Sequence, residues 1–117
     1  MIKFITVNIW NAEKKEAIPT KLPIRASYIA LKRMKESFGR TLSPTDDGSD
    51  YDAYEALLFQ SMKLGYQMLG QEMPWKSEDI ENIMDGAYNQ FMKVVPEFFS
   101  DENLDGVNKQ GDKKGKK

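Results

Sequence analysis

The sequence predicts a mainly α-helical fold with an N-terminal β-hairpin, a small bundle of three main helices, and a flexible polar tail. Three observations carry that prediction. Apolar residues alternate from Ile2 to Ile9 with the two-residue period of a strand. Three later stretches place apolar side chains at i, i+3 and i+4, the period of a helix. Beyond Ser100 the chain turns polar and glycine-rich, with too little apolar surface to offset the entropy of ordering it. The expected division is one domain over residues 1–100, with the hairpin at 2–24 and helices at about 25–39, 51–69 and 77–95, and a tail over 101–117.

In the first strand, Ile2, Phe4, Thr6 and Asn8 share one face and Ile5, Val7 and Ile9 the other, so neither face is polar along its length. The polar stretch Asn11 to Glu16 reads as a turn. Ala17 to Ile24 offers a second extended run broken by Pro19 and Pro23; proline cannot donate to a ladder, which predicts a short edge strand. Trp10 is expected to pack the hairpin onto the helices, the alternative being a recognition aromatic. An isolated hairpin is marginal in water, so this one should lie on a helical body.

Ser27, Leu31, Met34 and Phe38 then fall at helical spacing, and Gly39 sits where a C-terminal cap belongs. The loop Thr41 to Asp50 follows, with Asp46, Asp47, Asp50 and Asp52 close together. They are expected to be structural, and a hard cation site is the alternative. Tyr51 to Leu69 is the central helix: Tyr54, Leu57, Leu58, Phe59, Met62, Tyr66 and Leu69 sweep roughly 200° of a wheel, more than one neighbour can cover. Asp52, Gln60, Lys63 and Gln67 keep a narrow face for water. Gly65 predicts a close approach and Gly70 a stop.

Met73, Pro74 and Trp75 form an apolar connection, either a clasp over the core or a contact surface. Ser77 reads as a helix start, backed by Glu78, Asp79 and Glu81 against the positive end of the dipole. Ile80, Ile83, Met84, Ala87, Tyr88, Phe91, Met92 and Val95 continue one amphipathic helix, with Gly86 able to bend it and Pro96 expected to interrupt its last turn. Phe98 and Phe99 either fold back on the core or stay exposed. In the tail, Asp101, Asn103, Asp105 and Gly106 match the opening half of a calcium loop. Asp112 stands where a bidentate glutamate is needed, and no good exiting helix follows, so a coincidental polar tail is expected.

Composition narrows the chemistry. The formal net charge of -1 favours neither a general nucleic-acid binder nor a membrane-surface binder. Cysteine and histidine are both absent, which removes thiol chemistry, the commonest general base and the commonest metal ligand. No apolar run approaches membrane-spanning length, and the expectation is a soluble intracellular protein without catalytic, cofactor or metal residues. Met68, Met73, Trp75, Phe98 and Phe99 flank the core pattern instead of completing it, and are the candidate partner contacts.

The order of hairpin, YIALKRMKESFG helix, polar loop, YEALLFQSMKLGY helix, short turn and SEDIENIMDGAYNQFM helix resembles the tail assembly chaperones of long-tailed phages and prophages. Tyr28 to Gly39 followed by Tyr54 to Tyr66 is similar to that family's Leu-Lys/Arg-rich helix ending in Gly and Glu-Ala-Leu-Leu helix ending in Lys-x-Gly, within a likeness over residues 1–100. The resemblance implies a non-enzymatic chaperone that coats the tape measure protein and gives way to tail-tube protein, acting in the host cytoplasm and absent from the mature virion. It also implies self-association as an option, and in many members a frameshifted longer product. Two rivals stand beside it. One is a small DNA-binding regulator using the basic helix 25–40, with Arg25, Lys32, Arg33, Lys35 and Arg40. The other is a metal-dependent enzyme on the loop aspartates, for which no nucleophile is in view.

Overall fold

The computed structural model describes residues 2–43 and 45–100. Strands β1 (Ile2–Asn11) and β2 (Glu16–Arg25) form an antiparallel hairpin, followed by helices α1 (Tyr28–Phe38), α2 (Tyr51–Met68) and α3 (Ile80–Val94). Short 3-10 turns at Ser77–Asp79 and Val95–Phe99 bracket α3. The sequence reading of a hairpin on three helices holds. The tail segment over 101–117, with its calcium-loop match, lies outside the described residues.

The hairpin pairs without a break from Ile2↔Arg25 to Asn11↔Glu16. Its turn is closed by Asn11, whose carbonyl accepts from Lys15 N–H at 2.8 Å and whose side chain accepts from Lys14 N–H at 2.9 Å. β2 is therefore not short: it spans ten residues in spite of its prolines. Pro19 and Pro23 are four apart, opposite Asn8 and Phe4, so both ring nitrogens point the same way. The intact ladder places that side away from β1, where no donor is required.

Ile5, Val7 and Ile9 face inward with Leu22 and Ile24 of β2, all buried. The other face is open apart from buried Pro23, and Trp10 lies on it at 51% exposure, which overturns the expectation that Trp10 packs the hairpin onto the helices. Register explains the outcome, because Trp10 follows the inward Ile9 and must point to the opposite side.

The hairpin is held by two places where a side chain is missing. A Cβ on Gly65 of α2 would stand 2.5 Å from the Pro23 carbonyl oxygen, and one on Gly86 of α3 would stand 1.9 Å from that of Asn8. Gly65 thus supplies the predicted close approach. Gly86 lies within uninterrupted α3 and serves the same end, with Asn82 Nδ2 donating to the Trp10 carbonyl at 3.1 Å nearby. These contacts set α3 beside β1 and α2 beside β2, covering parts of the sheet edge that would otherwise invite strand pairing.

α1 begins later than predicted. Arg25 completes the ladder opposite Ile2, and Ser27, with extended backbone, is the residue before the first turn. The buried stripe of α1 is Ala30 and Met34, while Leu31 and Phe38 are only half-buried. Gly39 ends the helix in the left-handed region at φ 95, its N–H donating to Lys35 O. α2 starts on Asp50, whose side chain accepts from Ala53 N–H at 3.3 Å. It buries Tyr54, Leu57, Leu58 and Met62 between its neighbours, and leaves Phe59 and Tyr66 half-buried and Leu69 exposed.

Ser77 is not the N-terminal cap. The Asp79 carboxylate accepts from Lys76 N–H at 2.8 Å, fixing a 3-10 turn from which α3 continues. Val94 ends α3 and Pro96 lies in the following 3-10 turn, as the proline predicted. That turn swings Phe98 into the core, edge-on to Phe91 at 6.0 Å between centroids, and leaves Phe99 half-buried. Lys3 Nζ meets Glu97 at 3.2 Å across the same corner.

Candidate interaction surface

The narrow α2 face assigned to water is the floor of a channel. Asp52, Ala56, Phe59, Lys63 and Gln67 recur at helical spacing, so they line one side of α2 over about 22 Å at 1.5 Å per residue. Two hollows open along it, and Phe59 lines both. The first, about 370 Å³, is walled by Ser37 and Phe38 from α1, by Ser77 from the 3-10 turn before α3 and by Ile80 at the start of α3. The second, about 340 Å³, is walled by Gln71, Glu72, Met73 and Trp75 from the connection after α2.

Local hydrogen bonds hold both walls. Gln60 Nε2 donates to Ser37 Oγ at 3.2 Å, and Ser37 Oγ donates in turn to Arg33 O at 2.9 Å, which fixes the end of α1 against α2. Trp75 Nε1 donates to Tyr66 Oη at 3.3 Å, pinning the connection onto α2. Gly70, at φ 69, lets the chain turn back, with Gln71 N–H bonding to Tyr66 O at 2.9 Å. Met73 and Trp75 therefore act as a clasp and still present half-buried apolar surface to the channel.

The five sequence-chosen contacts do not form one patch. Met73 and Trp75 share the second hollow. Met68 is 48% exposed at the end of α2, and Phe99 lines a separate hollow with Tyr54, Met92 and Pro96. Phe98 is fully buried and leaves the set, because the 3-10 turn after Pro96 points it inward. Phe38, Ala56 and Phe59 are channel residues absent from that set. The arc of α2 is broad enough for the sequence to leave apolar area uncovered near Phe59, Tyr66 and Met68, for a partner or the hairpin, whereas the helical spacing of Phe38 marks it equally well as core and hides its half-exposure.

Other surfaces have local explanations. Asp46 accepts from Ser43 N–H at 2.6 Å, and Asp47 accepts from the amide and hydroxyl of Ser49, whose hydroxyl bond most strongly holds the Asp47 carboxyl below its usual range. Arg40 grips Asp50 with both terminal nitrogens and lowers its pKa, so the acidic loop does lie against the end of α1. Arg33 is paired with Glu36 at 3.1 Å. The larger hollow over α1, about 520 Å³, has a floor of Leu31 and Leu42 beneath Tyr28, Lys32 and Lys35. The α2 channel is richer in the aromatic anchors, Phe38, Phe59 and Trp75, that carry binding energy at interfaces.

Among the described residues, no group of three or more Asp or Glu is placed to hold a metal ion, and no helix is long and apolar enough to cross a membrane. No family model, curated protein or solved structure matches this chain.

Proposed function

We propose that this chain is a non-enzymatic tail assembly chaperone of long-tailed phages or prophages, which binds helices of a tape measure protein and supports tail-tube assembly. The observation that carries the reading is the α2 channel, two hollows that share Phe59 and open along about 22 Å of the helix, the length of four turns, with Phe38, Phe59, Met73 and Trp75 in their lining. An amphipathic helix laid in such a groove seats side chains at i, i+3, i+4 and i+7. Phe59 lines both hollows, as expected of a central anchor. Met73 on the wall adapts to varied partner side chains.

The DNA-regulator alternative draws less support. Arg25 belongs to β2, and Arg33 and Arg40 are engaged by Glu36 and Asp50, which leaves Lys32 and Lys35 on that face of α1. Two phosphate-directed lysines make a weak, strongly salt-sensitive DNA contact.

The test is co-expression with a tape measure protein from the same genome. The expected result is more tape measure protein in the soluble fraction, co-purifying with this chain. Phe59→Ser should abolish both effects, and Trp10→Ser, on the open hairpin face, should preserve them. Unchanged solubility without co-purification would overturn the proposal, and a mobility shift of duplex DNA at low salt would favour the regulator instead.

A further inference from the structure

The first hollow of the α2 channel has a charge that its apolar residues do not require. Asp52 and Glu55 line it beside Phe38, Ala56, Phe59 and Ile80. Glu55 also forms the wall of an adjoining hollow of about 280 Å³ between α2 and α3, where Glu81 and Asp85 stand with Tyr51 and Tyr88. Asp52 and Glu55 are three apart on α2, and Glu81 and Asp85 four apart on α3, so each pair shares a helix face. Asp52 and Glu55 thus stand at one end of the channel, with Glu81 and Asp85 lining the adjoining hollow that shares Glu55. None of them is in an ion pair among the described residues.

Helix dipoles account for only part of this. Asp52 and Glu81 lie in the first turns of α2 and α3, where a negative charge is favourable. Glu55 and Asp85 lie a turn further on, where that benefit has faded. Burial holds the Glu55 carboxyl above its usual pKa, and the charges of Glu81 and Asp52 add to the effect. Among the described residues, no cation is paired with these carboxylates to relieve their repulsion.

We propose that the channel takes an amphipathic helix of another protein whose apolar stripe is flanked by lysine or arginine, with the cationic flank seated at Asp52 and Glu55. This rests on the channel being a helix-docking groove and adds its charge rule. Phe38, Ala56, Phe59 and Ile80 receive the apolar stripe. The carboxylates attract a cationic flank and repel acidic helices, so they select among partners that the apolar residues of the hollow alone would accept equally. At the far end Lys63 and Glu72 are balanced, and the preference is confined to the Asp52 end, giving the bound helix a direction.

Two synthetic helical peptides with one leucine pattern, flanked by lysine in one and by glutamate in the other, test the rule against the full chain by fluorescence anisotropy. The lysine peptide should bind, weakening with added salt, and the glutamate peptide should bind at least about tenfold more weakly. Asp52→Asn/Glu55→Gln should erase that preference, while Phe59→Ser should weaken any binding of either peptide. Circular dichroism melting establishes that both variants are folded. Equal affinity for the two peptides, or a double variant that keeps the preference, overturns the charge rule. If the double variant still solubilises the tape measure protein as well as the parent, the rule fails and the chaperone reading stands. If the lysine peptide binds as expected but the tape measure protein gains no solubility, the chaperone reading fails and the rule stands.

Discussion

Where the hairpin meets α2 and α3, side chains have been removed so that backbones can touch, whereas along the channel flank of α2 side chains have been kept and left half-covered. At the seam, Gly65 and Gly86 bring helices onto the Pro23 and Asn8 carbonyls, with Leu22 and Ile24 fully buried nearby. In the channel, Phe59 and Trp75 are held in place by packing and by the Trp75–Tyr66 bond, yet remain open to solvent. The same helix carries both arrangements. A sealed contact gains stability by excluding every alternative neighbour, and a half-covered one retains free energy that only a partner can collect.

The comparison makes graded demands on substitution. Phe98→Ala should be the most damaging, because it empties a fully buried site against Phe91: a loss of about 3–5 kcal/mol in urea denaturation, against about 1 kcal/mol for half-buried Phe99→Ala. Similar losses for the two would erase the distinction between sealed and open positions. Gly86→Ala should cost about 2 kcal/mol despite the better helix propensity of alanine, since the obstacle is the Asn8 backbone and not a side chain that can swing away. A rise in Tm for that variant would show that the seam has slack.

On the channel side, Phe59→Ala should change stability by no more than about 1 kcal/mol, with the loss appearing in partner co-purification. A stability loss as large as that of Phe98→Ala would make Phe59 a core residue. The smallest effect is expected at Glu55. Its carboxyl binds a proton more tightly in the folded chain than in the unfolded one, so ionisation costs stability. The protonated form's advantage is complete below the ordinary value of 4.5 and is lost as pH rises through the higher folded value. Glu55→Gln should therefore raise Tm at neutral pH, and its margin over the parent should close on acidification below 4.5. A margin independent of pH would show that neither burial nor the neighbouring carboxylates disfavour ionised Glu55 in the folded chain.

Much of this molecule was legible in its sequence because the signals are local. Alternation from Ile2 to Ile9, the Ile80 to Val95 stripe, Gly39 and Gly70 as stops and Pro96 as an interruption all act within a turn or two of the chain. Pro19 and Pro23 misled for an instructive reason: a proline forbids a donor without saying on which side of the strand that donor would lie, and here both face away from β1. Phe98 and Phe99 are adjacent and chemically identical, so only the direction of the 3-10 turn separates a core residue from a half-exposed one.

The sequence by itself determined a hairpin followed by three amphipathic helices, a central helix with more apolar surface than one neighbour can cover, and the glycine that admits a close approach on it. Tertiary structure alone decided what fills that approach, which face of the hairpin is buried, and that the polar stripe of α2 becomes the floor of a channel. Periodicity fixes which residues share a face. What covers a face depends on segments distant in the chain, as when Phe38, Phe59 and Ile80 come to line one hollow.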